Sequence, residues 1–262
     1  MSASHTVESL LINAREVATK TRRTIEEERI WLRKYSGLDL VLGAHLNRVV
    51  RAIESVFVLA ELGAGHDATA LSRVILEHAI SAVSVAMSDD PERESYLFVT
   101  AQHRHVRDSH KALKRYYPDL PEPDATTSTL VQSLVEQVDQ SEFSERLKRI
   151  VERLDRTYSP NEKMFSWLYD VPYSAMSNYV HARALGLRTM TSPLGEPFIF
   201  IVNREDELSM NAVRHAVIGL LVVCLAVVHS WSSPSVEQKL LNPVEEFVRT
   251  AGQAGQLSTF EI

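Results

Sequence analysis

An all-α helical bundle is the fold class predicted by this 262-residue sequence, on three observations. Glycine occurs only nine times. Long apolar stretches recur at helical spacing, with little of the two-residue alternation that marks a half-buried strand. An almost uninterrupted apolar run near 212–231 reads as a helix buried on all sides. The one strand-like segment is short: "TSPLGEPFIFIVNRED" places a turn before Phe198–Val202, and a small β segment is expected near 198–202.

The elements follow in order. Val7, Leu10, Leu11, Ala14 and Val17 form one helical stripe, after which "TRRTIEEER" is strongly charged. Residues 1–36 therefore read as an N-terminal helix serving as a packing or dimerisation arm, and 37–262 as a single bundle domain. "SGLD" separates the two, with Asp39 expected to cap the next helix. That helix should stop at Gly63, a residue suited to the left-handed position after a helix end. Asp67 or Thr69 is expected to cap the third helix. In "SDDPE" an aspartate precedes a proline in the first turn, where the missing N–H costs nothing, so a fourth helix starts at Pro91. Its end is basic, matching the negative end of the helix dipole. A proline-rich loop at 117–125 follows, then two amphipathic helices, "TLVQSLVEQV" and "FSERLKRIVERLDRTY". "DVPYSAMSNYVHARALG" carries helix-start signals at Asp170 and Pro172 and a stop at Gly186. The apolar late helix and a short "NPVEEFVRTAG" helix complete the chain.

Composition narrows the function classes. A formal charge of −6 and a pI near 5.9 give no general attraction to nucleic acid or anionic lipid, although a local basic patch remains compatible with RNA. The single cysteine, Cys224, excludes an intramolecular disulfide and a cysteine zinc site. The N-terminal sequence lacks the pattern of a signal peptide. Ala216–Val228 is shorter than the ~20 apolar residues a membrane span needs. A cytoplasmic protein, without membrane attachment and self-associating as a homodimer, is the expectation.

The segment "LSRVILEHAISAVSVAM" holds the first candidate site. Arg73, Glu77, Ser81 and Ser84 fall on one stripe of an otherwise apolar helix, with His78 on its apolar side. Arginine four residues ahead of glutamate is the less favourable order against the dipole. A pair that only supports the helix would more often run the other way. A solvated edge with a core histidine explains the stripe. So does a pair facing a semi-buried cleft, where a charge must find a partner. A second stripe comes from Tyr173, Ser177 and His181, which recur every four residues and share one helical face.

The order of these features resembles an uncharacterised, all-helical family of bacterial proteins, a domain of unknown function. An arginine-x-x-x-glutamate helix with Leu71, Arg73 and Glu77 precedes a helix with Tyr173, Ser177 and His181. A short extended segment and a long apolar helix follow. The resemblance extends over roughly Leu42 to Trp231. It implies no activity, but it does imply that the two stripes belong together. The expectation built on this is that Arg73 and Glu77 face Ser177 and His181 across one cleft.

Other chemistries have less support. No Glu-x-x-His, His-Glu-x-x-His, phosphate-binding glycine loop or Gly-x-Ser-x-Gly elbow occurs. No metal and no cofactor is expected. In "QHRHVRDSH", His103 and His105 would point to opposite sides of a helix. A weaker similarity is to HEPN-superfamily ribonucleases of prokaryotic defence and toxin systems, which pair an arginine with a nearby histidine. Here Arg104 and His110 match that spacing. The resemblance implies histidine as acid or base and arginine as stabiliser of transition-state charge. The leading expectation is recognition of a small ligand or protein partner at the polar cleft. A metal-independent endoribonuclease is the alternative.

Overall fold

The structure is a computed structural model that describes residues 3–28, 36–119, 147–158, 160–161, 163–174, 176–177, 205–231 and 234–253. Among these residues all regular structure is helical. The β segment expected at Phe198–Val202, the helix expected at 129–138 and the helix end at Gly186 lie outside the described residues. The helices are α1 (Ala3–Glu27), α2 (Gly37–Glu61), α3 (Gly65–Ala86), α4 (Pro91–Lys114), α5 (Leu147–Tyr158), α6 (Met164–Leu168), α7 (Asp206–Trp231) and α8 (Pro234–Gln253).

Among the described residues the centre is a three-helix contact of α2, α3 and α7, with α3 against α7 the most extensive. Small side chains let these two helices approach closely. Ala68, Ser72, Ala79 and Ala82 of α3 and Ala212, Ala216 and Ala226 of α7 are all buried. The Ser72 hydroxyl lies 2.8 Å from the Ala212 carbonyl of α7 and 2.8 Å from the Ala68 carbonyl of its own helix, so its one proton serves both. At Gly219 a Cβ would stand 2.5 Å from Ile75 Cγ2, closer than two carbons can approach. By length and composition α3 and α7 are apolar enough to cross a membrane, but 61% and 67% of their most apolar stretches are buried in the bundle. Most of that surface faces other helices.

The N-terminal helix packs on its own bundle, against α8, α7 and α2. Leu10, Leu11, Ala14, Val17 and Ala18 are buried. The charged second half is buried along one edge as well, through Thr21 and Thr24. Lys239 of α8 pairs with Glu28 at the end of α1.

Local boundary signals are partly met. Gly63 is left-handed (φ 72°), with Gly63 N–H donating to Ala60 and Ala64 N–H to Leu59. That is the paired closure expected of a glycine after a helix end. Asp90 accepts from Arg93 N–H at 3.1 Å, with Pro91 behind it. Asp39, however, does not cap α2. Ser36 does so, accepting from Asp39 N–H at 3.0 Å. The Asp39 carboxylate is committed to a distant residue, Trp231 at the end of α7, whose indole N–H donates to it at 2.6 Å.

Neither Asp67 nor Thr69 caps α3, which begins two residues earlier after Ala64. Its cap comes from a distant part of the chain. Glu205 accepts from His66 N–H at 2.9 Å, pairs with the His66 ring, and donates its own N–H to Gly63. A carboxylate at this helix start also meets the positive end of the dipole.

The start at Asp170 and Pro172 is likewise displaced. The helix opens at Met164, after Lys163 in a left-handed conformation (φ 50°), and passes through a wide turn at Tyr169–Tyr173. Pro172 lies inside that turn, where it has no N–H to give the usual helical bond, and Ser174 N–H reaches back five residues to Tyr169. The buried Asp155 carboxylate of α5 holds the opening of α6, accepting from Phe165 N–H and Ser166 N–H at 2.8 Å each. Asp155→Ala would strand both donors and should cost about 2–4 kcal/mol. Asp155→Asn keeps one acceptor and should lose less. Urea midpoints for the two variants check this ordering.

Candidate functional site

Arg73 projects from the face of α3 that meets the wide turn after α6. Its guanidinium donates to the Tyr173 hydroxyl at 2.8 Å and lies 4.7 Å from the centre of the Tyr173 ring. Glu77, one helical turn along, stands 3.8 Å from the same nitrogen and 3.5 Å from the tyrosine oxygen. Tyr169 stacks on Tyr173 with ring centres 5.2 Å apart. The wide turn thus sets two phenol rings side by side against the arginine.

Burial divides the roles. The Arg73 side chain is 15% exposed and Glu77 50%, so the carboxylate is wet and the guanidinium nearly enclosed. The reversed order of the pair is explained here: Arg73 is committed to Tyr173, and its contact with Glu77 is loose. Arg73 Nε is buried and has no hydrogen-bond partner among the described residues. Burial, then the nearby Glu77 charge, push the Tyr173 hydroxyl above its usual pKa, with Arg73 opposing. A phenol held neutral is a hydrogen-bonding group at ordinary pH, not a base or nucleophile.

The structure brings Arg73, Glu77 and Tyr173 together. Ser177 is half-buried one turn beyond Tyr173, and His181 lies outside the described residues. Along the rest of the α3 stripe, Ser84 accepts from Arg153 of α5 at 3.5 Å. His110 is half-buried on α4, while the side chains of Arg104, His103 and His105 lie outside the description. Among the described residues no group of three histidine, cysteine or acidic side chains could hold a metal ion.

Two features carried no sequence signal. His45 of α2 and His78 of α3 meet with their Nδ1 atoms 3.0 Å apart, and Phe98 of α4 packs edge-on against His45 at 5.0 Å. One ring must donate and the other accept, so the pair is stable only while at least one ring is neutral. Burial, helped by the neighbouring ring, depresses His45 to about 3. Burial and Arg48 also lower His78, against a smaller opposing effect of Glu77. The second feature is a cleft of about 730 Å³ between α1, α2 and Trp231. Ile25, Leu46 and Val50 line it, with Arg22, Arg51 and Glu54 among its charged residues. None of the described candidate site residues borders this cleft. Residues this far apart in the chain share no local pattern.

Residues 39–195 match a family described as a family of unknown function, DUF5677. The chain belongs to this family. The DUF5677 match takes in Arg73, Glu77, Tyr173, Ser177 and His181 and ends before α7, whereas the expected resemblance ran on to Trp231. Similarity to HEPN ribonucleases is not shown. No curated protein and no solved structure matches the chain.

Proposed function

We propose that this DUF5677 protein is a recognition protein, with Arg73, Tyr173 and Glu77 forming a binding site for an anionic group on a small ligand or protein partner. The observation that carries this reading is the state of Arg73. An almost enclosed guanidinium is held by a neutral phenol and only loosely by a wet carboxylate. Its Nε lacks a partner among the described residues. A positive group in that state gains from a carboxylate or phosphate oxygen, which guanidinium binds through parallel hydrogen bonds. Tyr169 and Tyr173 supply an aromatic wall for the uncharged part of the ligand.

Thermal unfolding in acetate and in inorganic phosphate, against chloride at equal ionic strength, tests the site. At tenfold excess over the dissociation constant, a bound anion should add about 1.4 kcal/mol. For a chain of this size that raises Tm by roughly 3–5 °C. Arg73→Met should abolish the increment, and Tyr173→Phe should reduce it. Equal increments in wild type and Arg73→Met would overturn the reading.

The same proposal places the protein in the cytoplasm, without membrane attachment. The lone buried Cys224 and the largely buried apolar stretches of α3 and α7 support this placement. It also takes the protein to be a homodimer, for which sedimentation is the direct measurement.

A further inference from the structure

The first half of α4 is held on the bundle: Ser95 is fully buried and Phe98 packs on His45. The far end is different. From His110 to Asp119 no residue is buried, through the last helical turn and the residues beyond it. A helix lying on a bundle buries a residue every three or four positions, so this end stands off the core.

Its composition is unlike the rest of the chain. "KALKRYY", residues 111–117, carries Lys111, Lys114 and Arg115 with no acidic residue, in a chain of net charge −6. The flanking acids in sequence are Asp108, one turn before Lys111, and the exposed Asp119. Tyr116 is 79% exposed, Tyr117 63% and Leu113 48%. A solvated face would need only the charges. Two aromatic rings left in water beside three cations are instead what a strand of unpaired bases meets: rings for the bases, cations for the phosphates.

We infer that the end of α4 and the two tyrosines after it form a binding surface for single-stranded nucleic acid. The rings stack on successive bases without hydrogen-bond readout, so the surface has little sequence preference. Charge complementarity favours this occupant over an apolar protein face, since three cations directly precede the two exposed rings in a chain of net charge −6. This surface is independent of the Arg73 site and would survive that site's failure.

Fluorescence anisotropy of a labelled oligouridine with the full chain tests the inference. Phosphate contacts from Lys111 and Arg115 give a log–log salt slope of about −1.4, so affinity should fall roughly sevenfold between 50 and 200 mM salt. Tyr116→Ala with Tyr117→Ala should weaken binding at least tenfold. Lys111→Glu with Arg115→Glu should weaken it further and flatten the salt slope. All four positions are exposed, so unchanged circular dichroism is expected in both variants. Absence of saturable binding, or equal affinity in wild type and the tyrosine variant, overturns the inference. So does a change of sedimentation coefficient on tyrosine replacement without loss of RNA binding, which would make the patch a contact between copies.

Discussion

Gly219→Val is expected to lower Tm by roughly 5–10 °C, corresponding to about 2–3 kcal/mol for a chain of this size. The α3–α7 contact is the most extensive among the described helices, and Gly219 sits in it with no room for a side chain. Even a Cβ there would stand 2.5 Å from Ile75 Cγ2 and 3.5 Å from the Ile75 backbone carbon. Ile75 is fully buried, and its branched side chain is held by χ1 restriction as well as by neighbours. The helices must therefore separate or Ile75 must leave its rotamer. Gly43, also inside a helix, makes the contrast: a Cβ there meets nothing within 4 Å. Gly43→Ala should stabilise by about 0.5–1 kcal/mol, the ordinary gain from removing a mid-helix glycine. Calorimetry on the two variants should show shifts of opposite sign. A double-mutant cycle with Ile75→Ala should give a cost smaller than the sum of the two single replacements.

The second large effect is acid lability. His45 is depressed to about 3, chiefly by burial with the His78 ring adding to it. His215 on α7 is depressed to about 4 by burial, with Arg214 beside it. An unfolded histidine titrates near 6.5, so between that value and the folded pKa the unfolded chain binds the extra proton. Stability is thus complete above about pH 6.5 and falls as pH drops, by about 1.4 kcal/mol per unit for each such group. At pH 5 His45 alone should have cost about 2 kcal/mol, and His215 a similar amount. Arg48 raises the cost of protonating His78, while Glu77 reduces it. Urea midpoints at pH 7 and pH 5 read the total. His45→Phe, which keeps a ring against Phe98, should remove about one proton from the pH dependence. Equal stability at the two pH values would show that these rings are not buried neutral.

The legible part of the fold was local. Gly63 and Asp90–Pro91 acted as expected because each meets its partners within a few residues, and backbone geometry allows few alternatives there. The all-α class followed from periodicity, a property summed over many positions. The errors came wherever a local signal competed with a distant partner. Asp39 carried a cap-forming side chain, but its carboxylate went to Trp231, 192 residues away. α3 found its capping carboxylate in Glu205, 139 residues beyond the N–H it accepts. Asp170 and Pro172 resembled a helix start, yet a wide turn absorbed the missing N–H and the helix began at Met164.

The candidate site divides in the same way. That Arg73 and Glu77 share a stripe, and that their order is wrong for a mere surface pair, was written in the spacing of α3. Family resemblance suggested that the two stripes belong together, with Ser177 and His181 as the expected partners; that Arg73 reaches Tyr173 came from the structure. The His45–His78 contact and the cleft beside Trp231 had no antecedent in the sequence at all. Periodicity and caps depend on neighbours along the chain, so the sequence alone determined the helices, their approximate ends and the polar stripes on them. Which stripes face each other, which histidines lose their water and which glycine permits contact depend on groups brought together from far apart. Only the packing of α2, α3 and α7, with the segments against them, decided those.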